Sequence, residues 1–316
     1  GTAPGNTTKQ ALEDNPVGGI LYFGANIVSR NQLMSMISNT KSYSKYPIFI
    51  GTDEEGGTVK RIAGSAIEAE DSLVKDVGTM KSVGAAGDAS KARDAGQTIG
   101  CYLHELGFNM DFAPVAGVLT DPGNKTIGTR SFGSDPELDA AMVAQFNDGL
   151  HAEDVLSCEK HFPGLGDTNV DTHTGEATTQ RSLDDMRTTD FISFGGGIDA
   201  GTDFVMVGHV SCPNVTGNNT PASLSEKMIT EVLRGELGYD GIVITDSLQM
   251  GALTRYYSSG EAAIKAIQAG ADMLLMPEDY HKAYEAVLNA VNNGTISEER
   301  IDESLERIYR VKLKLK

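Results

Sequence analysis

The sequence predicts an α/β protein whose parallel strands close into an eight-stranded (β/α)8, or TIM-type, barrel. Short apolar or β-branched runs alternate with longer amphipathic stretches along the whole chain, an alternation that is typical of repeated βα units. The short runs are apolar nearly throughout, as in parallel strands that are covered on both faces. The 316 residues contain no Pro/Gly/Ser-rich linker and no repeat, so we expect residues 1–316 to form a single domain.

Seven runs have the length and composition of strands. They are Val17–Phe23, Pro47–Thr52, Met110–Val115, Val155–Lys160, Asp203–Val210, Gly241–Asp246 and Ala271–Met276. A closed barrel needs eight strands, whereas Gly1–Asn15 has the pattern of a polar lead-in and a helix, so we expect the first strand to be missing or atypical. An open, doubly wound sheet is the alternative. No Gly-x-Gly-x-x-Gly turn follows the first run, which leaves a dinucleotide-binding version without support.

Amphipathic spacing predicts helices between these runs. They are Asn31–Thr40, Asp88–Leu106, Leu138–Glu153, Ser225–Glu236, Gly260–Gln268, Tyr280–Val291 and Ser297–Leu315. Ser297 is a predicted N-cap, because acidic residues fill the turn that follows it. Several helices are expected to stop at a glycine, namely Gly107, Gly201, Gly238 and Gly270.

The charge balance excludes two classes of partner. Lys and Arg number 26 against 44 Asp and Glu, a net charge of −18, which repels nucleic-acid phosphates and anionic lipid. No apolar run approaches the roughly 18 to 20 residues that a membrane span needs.

Cys101, Cys158 and Cys212 form no CxxC pair, so we expect buried thiols rather than a disulfide framework or a zinc site, and no metal or other cofactor. The oligomeric state is left open, and the polar composition favours a secreted or cell-surface location, with the cytoplasm as the alternative.

Polar residues collect at the carboxyl ends of the predicted strands, where the active site of a TIM barrel forms. Five strands contribute such residues: Asp53, Asp111, the pair Lys160-His161, His209 and Asp246. A single acidic residue at a strand end is commonly the N-cap of the next helix. Five strands that bring charge to one rim indicate a functional site instead.

Two of these residues can do covalent chemistry. Asp246 can be a carboxylate at the floor of the pocket that attacks an anomeric carbon, or a helix N-cap. Lys160 is either a Schiff-base nucleophile or a protonated amine that donates hydrogen bonds to substrate hydroxyls. Nearby carboxylates stabilise the ammonium form and favour the binding role.

The stretch 164–175 is polar and glycine-rich, with no helical or strand period. It is predicted to be a long βα loop, the kind of segment that often carries function. Asp171 and His173 are two residues apart, so in an extended stretch they face the same way, and the carboxylate can orient and charge-stabilise the imidazole. Such a pair is a competent acid/base near neutral pH. A solvated surface histidine is the alternative.

The run Lys160-His161-Phe162-Pro163-Gly164-x-Gly166-Asp167, followed by Asp171-Thr172-His173, resembles the signature loop of the family 3 glycoside hydrolases, in particular their β-N-acetylglucosaminidase branch. Other segments match in the family's order: Val17–Ile20, Asp53–Arg61, Asp111–Val115, Arg130–Gly133 and Thr245–Met250. The similarity extends over nearly the whole chain.

The resemblance implies a retaining, two-step hydrolysis that releases terminal β-linked N-acetylglucosamine (GlcNAc), from peptidoglycan fragments or other GlcNAc-containing saccharides. Asp246 would be the nucleophile, and His173 the acid/base with Asp171 as its partner. The same resemblance implies that the sugar hydroxyls are bound by Asp53, Arg61, Arg130, Lys160 and His161, with His209 supporting the pocket. A phosphorylase or β-glucosidase of the same family remains an alternative; a Schiff-base aldolase and a non-catalytic sugar-binding barrel are more remote.

Three positions depart from the branch's pattern. Leu165 stands where a second histidine is common, Thr58 where an arginine is common, and Gly117 where an aspartate is common. These changes leave the proposed catalytic pair intact and leave the fit of the substrate open.

Overall fold

The computed structural model of the protein describes residues 1–14, 16–168 and 175–315. Its strands are β1 Gly19–Leu21, β2 Phe49–Thr52, β3 Met110–Asp111, β4 Cys158–Phe162, β5 Ala177–Thr178, β6 Phe204–Val207, β7 Val210–Ser211 and β8 Ile242–Thr245. Its helices are α1 Asn6–Asp14, α2 Arg30–Tyr43, α3 Ala66–Glu70, α4 Met80–Gly84, α5 Ser90–Leu106, α6 Pro136–His151, α7 Leu183–Arg187, α8 Asp190–Asp199, α9 Pro213–Thr216, a π-helix Lys227–Glu236, α10 Gly251–Thr254, α11 Ser259–Ala269, α12 Tyr280–Asn292 and α13 Glu298–Lys312.

Six of the described strands form two parallel sheets in chain order. One sheet has the order β1-β2-β3 and a second has β4-β6-β8. The Asp111 N–H donates to the Leu156 carbonyl (2.9 Å), and a parallel bridge at Met110 and Leu156 joins the two sheets. A further parallel bridge, between Ile244 and Met273, adds the segment after α11. The predicted α/β architecture with parallel strands is therefore confirmed.

The two ends of this arrangement are β1 and the segment around Met273. Within the described ranges, no backbone hydrogen bond joins β1 to the segment around Met273. A cavity of about 560 Å³ lies between them, with mostly apolar walls that include Phe112, Phe204 and Ile308. These pairings give seven parallel segments in order, and they do not show the predicted closed ring.

Strand alternation divides the core into two layers. Phe49, Cys158, Phe204 and Ile244 belong to an inner cluster, whereas the intervening strand residues pack toward the helices in the main cluster, among them Ile50, Val205, Val207 and Val243. Side chains two apart on a strand share a face. The inner series therefore continues to Asp53 beyond β2, to Lys160 in β4 and to Asp246 beyond β8.

Most predicted helices and strands are present, with shifted ends. The last predicted strand is reduced to the bridge at Met273, and the predicted Ser225–Glu236 helix is wound as a π-helix from Lys227. Gly107 and Gly270 end α5 and α11 in the left-handed conformation, as predicted. Cys158 and Cys212 are buried, and Cys101 is half-buried. Of the helices that the structure describes, none is both long enough and apolar enough to cross a membrane.

Of helix α8, the sequence predicted only the stop at Gly201, which directly follows its C-cap Ala200, and not its bounds. The helix contains three consecutive glycines, Gly195–Gly197, which have low helix propensity. An added Cβ at Gly196 would lie 2.8 Å from the Ala140 Cβ, and one at Gly197 would overlap the Glu159 carboxyl group. The glycines thus let α8 pack closely on α6 and β4, and this packing outweighs their low propensity.

Candidate functional site

Lys160 lies at the centre of a buried ion-pair chain. Its Nζ is 2.8 Å from the Asp53 Oδ1 and 2.6 Å from the Glu55 Oε1, and the side chain is 2 % exposed. Burial lowers the pKa of Lys160, but the two carboxylates raise it by more, so the net pKa lies above its ordinary value. The ammonium form is stabilised, which argues against the neutral amine that a Schiff-base mechanism requires.

Arg130 extends the chain through the same glutamate. Its Nε and Nη2 donate to the two oxygens of Glu55 at 2.7 and 2.9 Å, and its Nη1 donates to the Thr126 carbonyl at 3.2 Å. Burial raises the pKa of Glu55, whereas Lys160 and Arg130 lower it by more, so the carboxylate stays ionised. One carboxylate thereby holds two cations side by side.

Arg61 forms the other end of the chain. Its Nη2 is 3.5 Å from the Asp53 Oδ2, and its guanidinium carbon lies 5.8 Å from the centre of the Phe23 ring. The turn that carries it is fixed by Glu54, which accepts the Arg61 N–H at 2.6 Å and the Tyr102 hydroxyl at 2.8 Å.

The side chains of Asp53 and Glu55 therefore lie on the Lys160 side, and that of Glu54 lies on the opposite side. Glu54 turns toward the helices, where Asp111 accepts its backbone N–H at 2.9 Å. Burial raises the pKa of Asp111 well above its ordinary value. Asp111 is bonded within this outer layer, and the expectation that it joins the charged rim is not met.

Asp246 lies just beyond β8 and is partly exposed. Its Oδ1 accepts the Ser247 N–H at 2.7 Å. Burial raises the pKa of this carboxyl, but His161, His209, the Ser247 N–H and Lys160 together lower it below its ordinary value. Asp246 is thus an ionised carboxylate near neutral pH. The next helix, α10, begins only at Gly251, so the N-cap interpretation fails.

Two histidines flank this carboxylate. Burial lowers the pKa of His161 to about 3, so its imidazole is neutral, and its Nδ1 is buried with no partner among the described residues. An added Cβ at Gly208 would lie 3.2 Å from the His161 Cβ, so the glycine lets the ends of β4 and β6 approach. His209 is 1 % exposed; its Nδ1 is 2.7 Å from the Ser223 Oγ and its Nε2 is 2.9 Å from the Ser247 carbonyl oxygen.

Asp171 and His173 lie outside the described residues, as does the rest of 169–174. On one side of this segment, Asp167 accepts a hydrogen bond of 2.5 Å from the Thr179 hydroxyl. On the other side, β5 pairs in parallel with β7, which begins directly after His209. The described flanks of the segment therefore adjoin the site.

The structure brings most of the predicted residues into two groups. Asp53, Arg61, Arg130 and Lys160 form the ion-pair chain, and His161, His209 and Asp246 interact at the neighbouring strand ends. Sequence reasoning missed Glu55 and Ser223 as site residues. The alternation in Asp53-Glu54-Glu55 could have identified Glu55, whereas no local signal identifies Ser223, which is 14 residues from His209.

The positions that depart from the branch's pattern have local roles here. Leu165 is buried in the main core, and the Thr58 hydroxyl lies 3.1 Å from that of Thr129. An added Cβ at Gly117 would make only ordinary contacts. Across the described part of the chain, no group of three or more His, Cys, Asp or Glu residues could hold a metal ion.

Comparison with known proteins identifies relatives over almost all of this chain. Beta-hexosaminidase A of Pseudoalteromonas piscicida is 30 % identical over 328 residues, which cover 95 % of this chain and 54 % of that protein. Beta-hexosaminidase of Stenotrophomonas maltophilia (strain R551-3) is 33 % identical over 281 residues, covering 87 % of this chain and 81 % of that protein. The chain thus spans only about half the length of the first of these relatives.

Solved structures also match almost all of this chain. A glycoside hydrolase family 3 beta-N-acetylglucosaminidase from Paenibacillus sp. str. FPU-7 superposes with a TM-score of 0.93 at 38 % identity, covering 99 % of this chain and 60 % of that chain. Beta-glucoside phosphorylase BglX superposes with a TM-score of 0.84 at 26 % identity, covering 94 % of this chain and 54 % of that chain. Residues 2–311 match the Glycosyl hydrolase family 3 N terminal domain. The resemblance seen in the signature loop is thereby confirmed, and this chain belongs to glycoside hydrolase family 3.

Proposed function

We propose that the protein hydrolyses terminal β-linked GlcNAc from saccharides such as peptidoglycan fragments, with retention of configuration. The observation that carries the proposal is the ionised Asp246 at a strand end, beside a chain of charged groups suited to sugar hydroxyls. Relatives whose names are beta-hexosaminidase and beta-N-acetylglucosaminidase support the choice of sugar.

The proposed chemistry has two steps. Asp246 attacks the anomeric carbon and forms a covalent glycosyl-enzyme while His173, oriented by Asp171, protonates the leaving oxygen. The neutral His173 then takes a proton from water, which attacks the anomeric carbon and releases Asp246. Asp53, Arg61, Arg130, Lys160 and His161 bind the sugar during both steps, and His209 supports the pocket.

Kinetics with nitrophenyl β-GlcNAc test these roles. Asp246→Ala should abolish turnover, because no other group forms the covalent intermediate. His173→Ala should slow poor leaving groups far more than nitrophenol, which needs little protonation. Asp240→Ala is the matched control, since Asp240 precedes the same strand at its other end and pairs with surface Arg310. Asp246→Ala with wild-type activity would refute the assignment.

Phosphorolysis is the second candidate, because the similar phosphorylase structure shares most of the fold. A neutral histidine would repel an incoming phosphate less than a carboxylate would. Turnover in phosphate buffer separates the two reactions. Release of free GlcNAc supports hydrolysis, whereas formation of GlcNAc 1-phosphate supports the phosphorylase.

We also propose that the parallel segments belong to a TIM-type barrel. The cavity beside β1 has the apolar lining that one further strand would cover. Such a strand would pair with β1 on one side and with the Met273 segment on the other.

A further inference from the structure

We propose that Ser223 and His209 are positioning residues that hold Asp246 in its reactive orientation. The proposal rests on the assignment of Asp246 as the nucleophile. Three hydrogen bonds link these residues in series. Ser223 bonds to His209 at 2.7 Å, His209 bonds to the Ser247 carbonyl at 2.9 Å, and the Ser247 N–H donates to the Asp246 Oδ1 at 2.7 Å. We call this series the Ser223 chain.

The donor and acceptor groups determine the direction of each hydrogen bond in the Ser223 chain. A backbone carbonyl can only accept, so the His209 Nε2 must carry the proton that bonds Ser247. In a neutral ring the Nδ1 is then an acceptor, and the Ser223 hydroxyl is a donor of the required kind. The Ser247 carbonyl thus selects the Nε2–H tautomer of His209, and the Ser223 hydroxyl stabilises that tautomer by donating to Nδ1.

The chain is anchored in buried structure. Ser223 is fully buried, His209 is 1 % exposed, and the Ser223 N–H donates to the Gly208 carbonyl at 3.1 Å. His209 follows β6, while Ser247 follows β8. The imidazole therefore ties together the ends of two neighbouring strands, in the turn that carries Asp246.

A fixed turn matters because attack on an anomeric carbon requires close alignment of the carboxylate oxygen. When one oxygen of Asp246 is held by the Ser247 N–H, the direction of the other is set as well. Reaction rates are sensitive to displacements of about 1 Å at such a group. The Ser223 chain should therefore act on the chemical step and leave sugar binding unchanged.

Ser223→Ala tests the proposal. Without the hydroxyl, the His209 Nδ1 loses its donor, and we expect kcat on nitrophenyl β-GlcNAc to fall on the order of tenfold, while KM and inhibition by free GlcNAc stay at wild-type values. Ser223→Thr, which keeps a hydroxyl, should recover most of the activity. The ¹⁵N spectrum of histidine-labelled protein should show the Nε2–H tautomer for His209 in the wild type and a changed signal in Ser223→Ala.

Ser157→Ala is the matched control. Ser157 is also fully buried, and its Oγ lies 3.2 Å from the His151 Nε2, before rather than after the strand β4. It should keep wild-type kcat. The proposal is overturned if Ser223→Ala keeps wild-type kcat, if Ser157→Ala loses as much, or if His209 carries its proton on Nδ1.

The experiment separates this proposal from the proposed function. Wild-type protein without activity on the glycoside, or an active Asp246→Ala, would reject the nucleophile and with it this role for the chain. An active wild type with an inactive Asp246→Ala, combined with an unaffected Ser223→Ala, would reject the positioning role alone.

Discussion

Glu55 shows how one buried carboxylate can organise the proposed sugar site. Two cations, Lys160 and Arg130, lie on the same carboxylate, and their like charges would repel each other without it. Removing one member of a buried ion pair commonly costs about 3 to 5 kcal/mol, because the remaining charge is left uncompensated. Glu55 therefore sets the spacing of two proposed sugar ligands without itself being one.

We expect Glu55→Gln to lower the free energy of unfolding by about 3 kcal/mol and to lower kcat/KM for nitrophenyl β-GlcNAc more than tenfold, mainly through KM. Urea unfolding and steady-state kinetics measure the two effects. Glu236→Gln is the control, because Glu236 binds Arg187 through two similar hydrogen bonds, 2.6 and 2.9 Å, on the surface. Such an exposed pair should contribute less than about 1 kcal/mol. Equal effects of the two changes would contradict the role of Glu55.

At the scale of residues, position at the strand ends predicted most of the side chains that meet, and the two-residue period of the strands explains why. Asp53, Lys160 and Asp246 lie at even steps from buried inner residues, so their common face follows from the sequence. The partners contributed by other loops do not follow. Arg130 was assigned through the family resemblance, and Ser223 meets His209 only because the buried turn Ala222–Leu224 folds back onto the end of β6, a contact that no local pattern encodes.

At the scale of elements, β4 carries opposite chemistry on its two faces. Lys160 faces the site, while Glu159 faces α6 and α8, where its Oε1 accepts a hydrogen bond of 2.9 Å from Asn147. Burial raises the pKa of Glu159 to about 8. The carboxyl is therefore protonated in the folded protein at neutral pH, whereas it is ionised in the unfolded chain.

This difference makes stability depend on pH. The stabilisation from protonated Glu159 is fully present below the unfolded pKa, near 4.5, and it is lost as the pH rises toward about 8. The slope is at most about 1.4 kcal/mol per pH unit. We expect Glu159→Gln to flatten the decline in unfolding free energy between pH 5 and 8, measured by urea titration. Glu285→Gln, an exposed change on α12, should retain the wild-type slope; an unchanged slope in Glu159→Gln would reject this origin.

The bounds of α8 could not be predicted, because packing outweighs propensity there. The glycines of α8 weaken a helix in isolation, yet Gly196 and Gly197 allow α8 to approach Ala140 and Glu159. The extent of α8 depends on these neighbours, so its own sequence predicted only the stop at Gly201. Helix ends at Gly107 and Gly270 were predictable, because the left-handed conformation is a local property of glycine.

At the scale of the whole molecule, the sequence predicted the parallel α/β order but not how the ends meet. Strand order follows from the repeated βα pattern. In the proposed barrel, closure depends on one further strand that pairs with both β1 and the Met273 segment, and no local pattern specifies this pairing. The mostly apolar cavity between them is where the prediction of a barrel must be tested.

Hydrogen exchange of backbone amides provides that test. In β1 and the Met273 segment, alternate residues bond to β2 and β8. The backbone N–H groups of Gly19, Leu21 and Leu274 lie between those positions, so they point away from β2 and β8. If one further strand pairs there, these amides should exchange as slowly as those of Ile50 in the middle of β2. Exchange at rates typical of exposed loops would show an open edge and would contradict the barrel. The amide of Leu288, on the surface of α12, is a suitable internal reference for a helix.

The ion-pair chain also has a consequence for what kind of ligand the site accepts. Among the described residues, Arg61, Arg130 and Lys160 supply three positive charges, and Asp53, Glu55 and Asp246 supply three negative ones. The set is balanced, so its field falls off quickly with distance, in contrast with the net −18 of the whole chain. An uncharged sugar can enter without disturbing this balance. We expect a uronic or sialic acid to bind less well, because among the described residues of the ion-pair chain each positive charge already has a carboxylate partner.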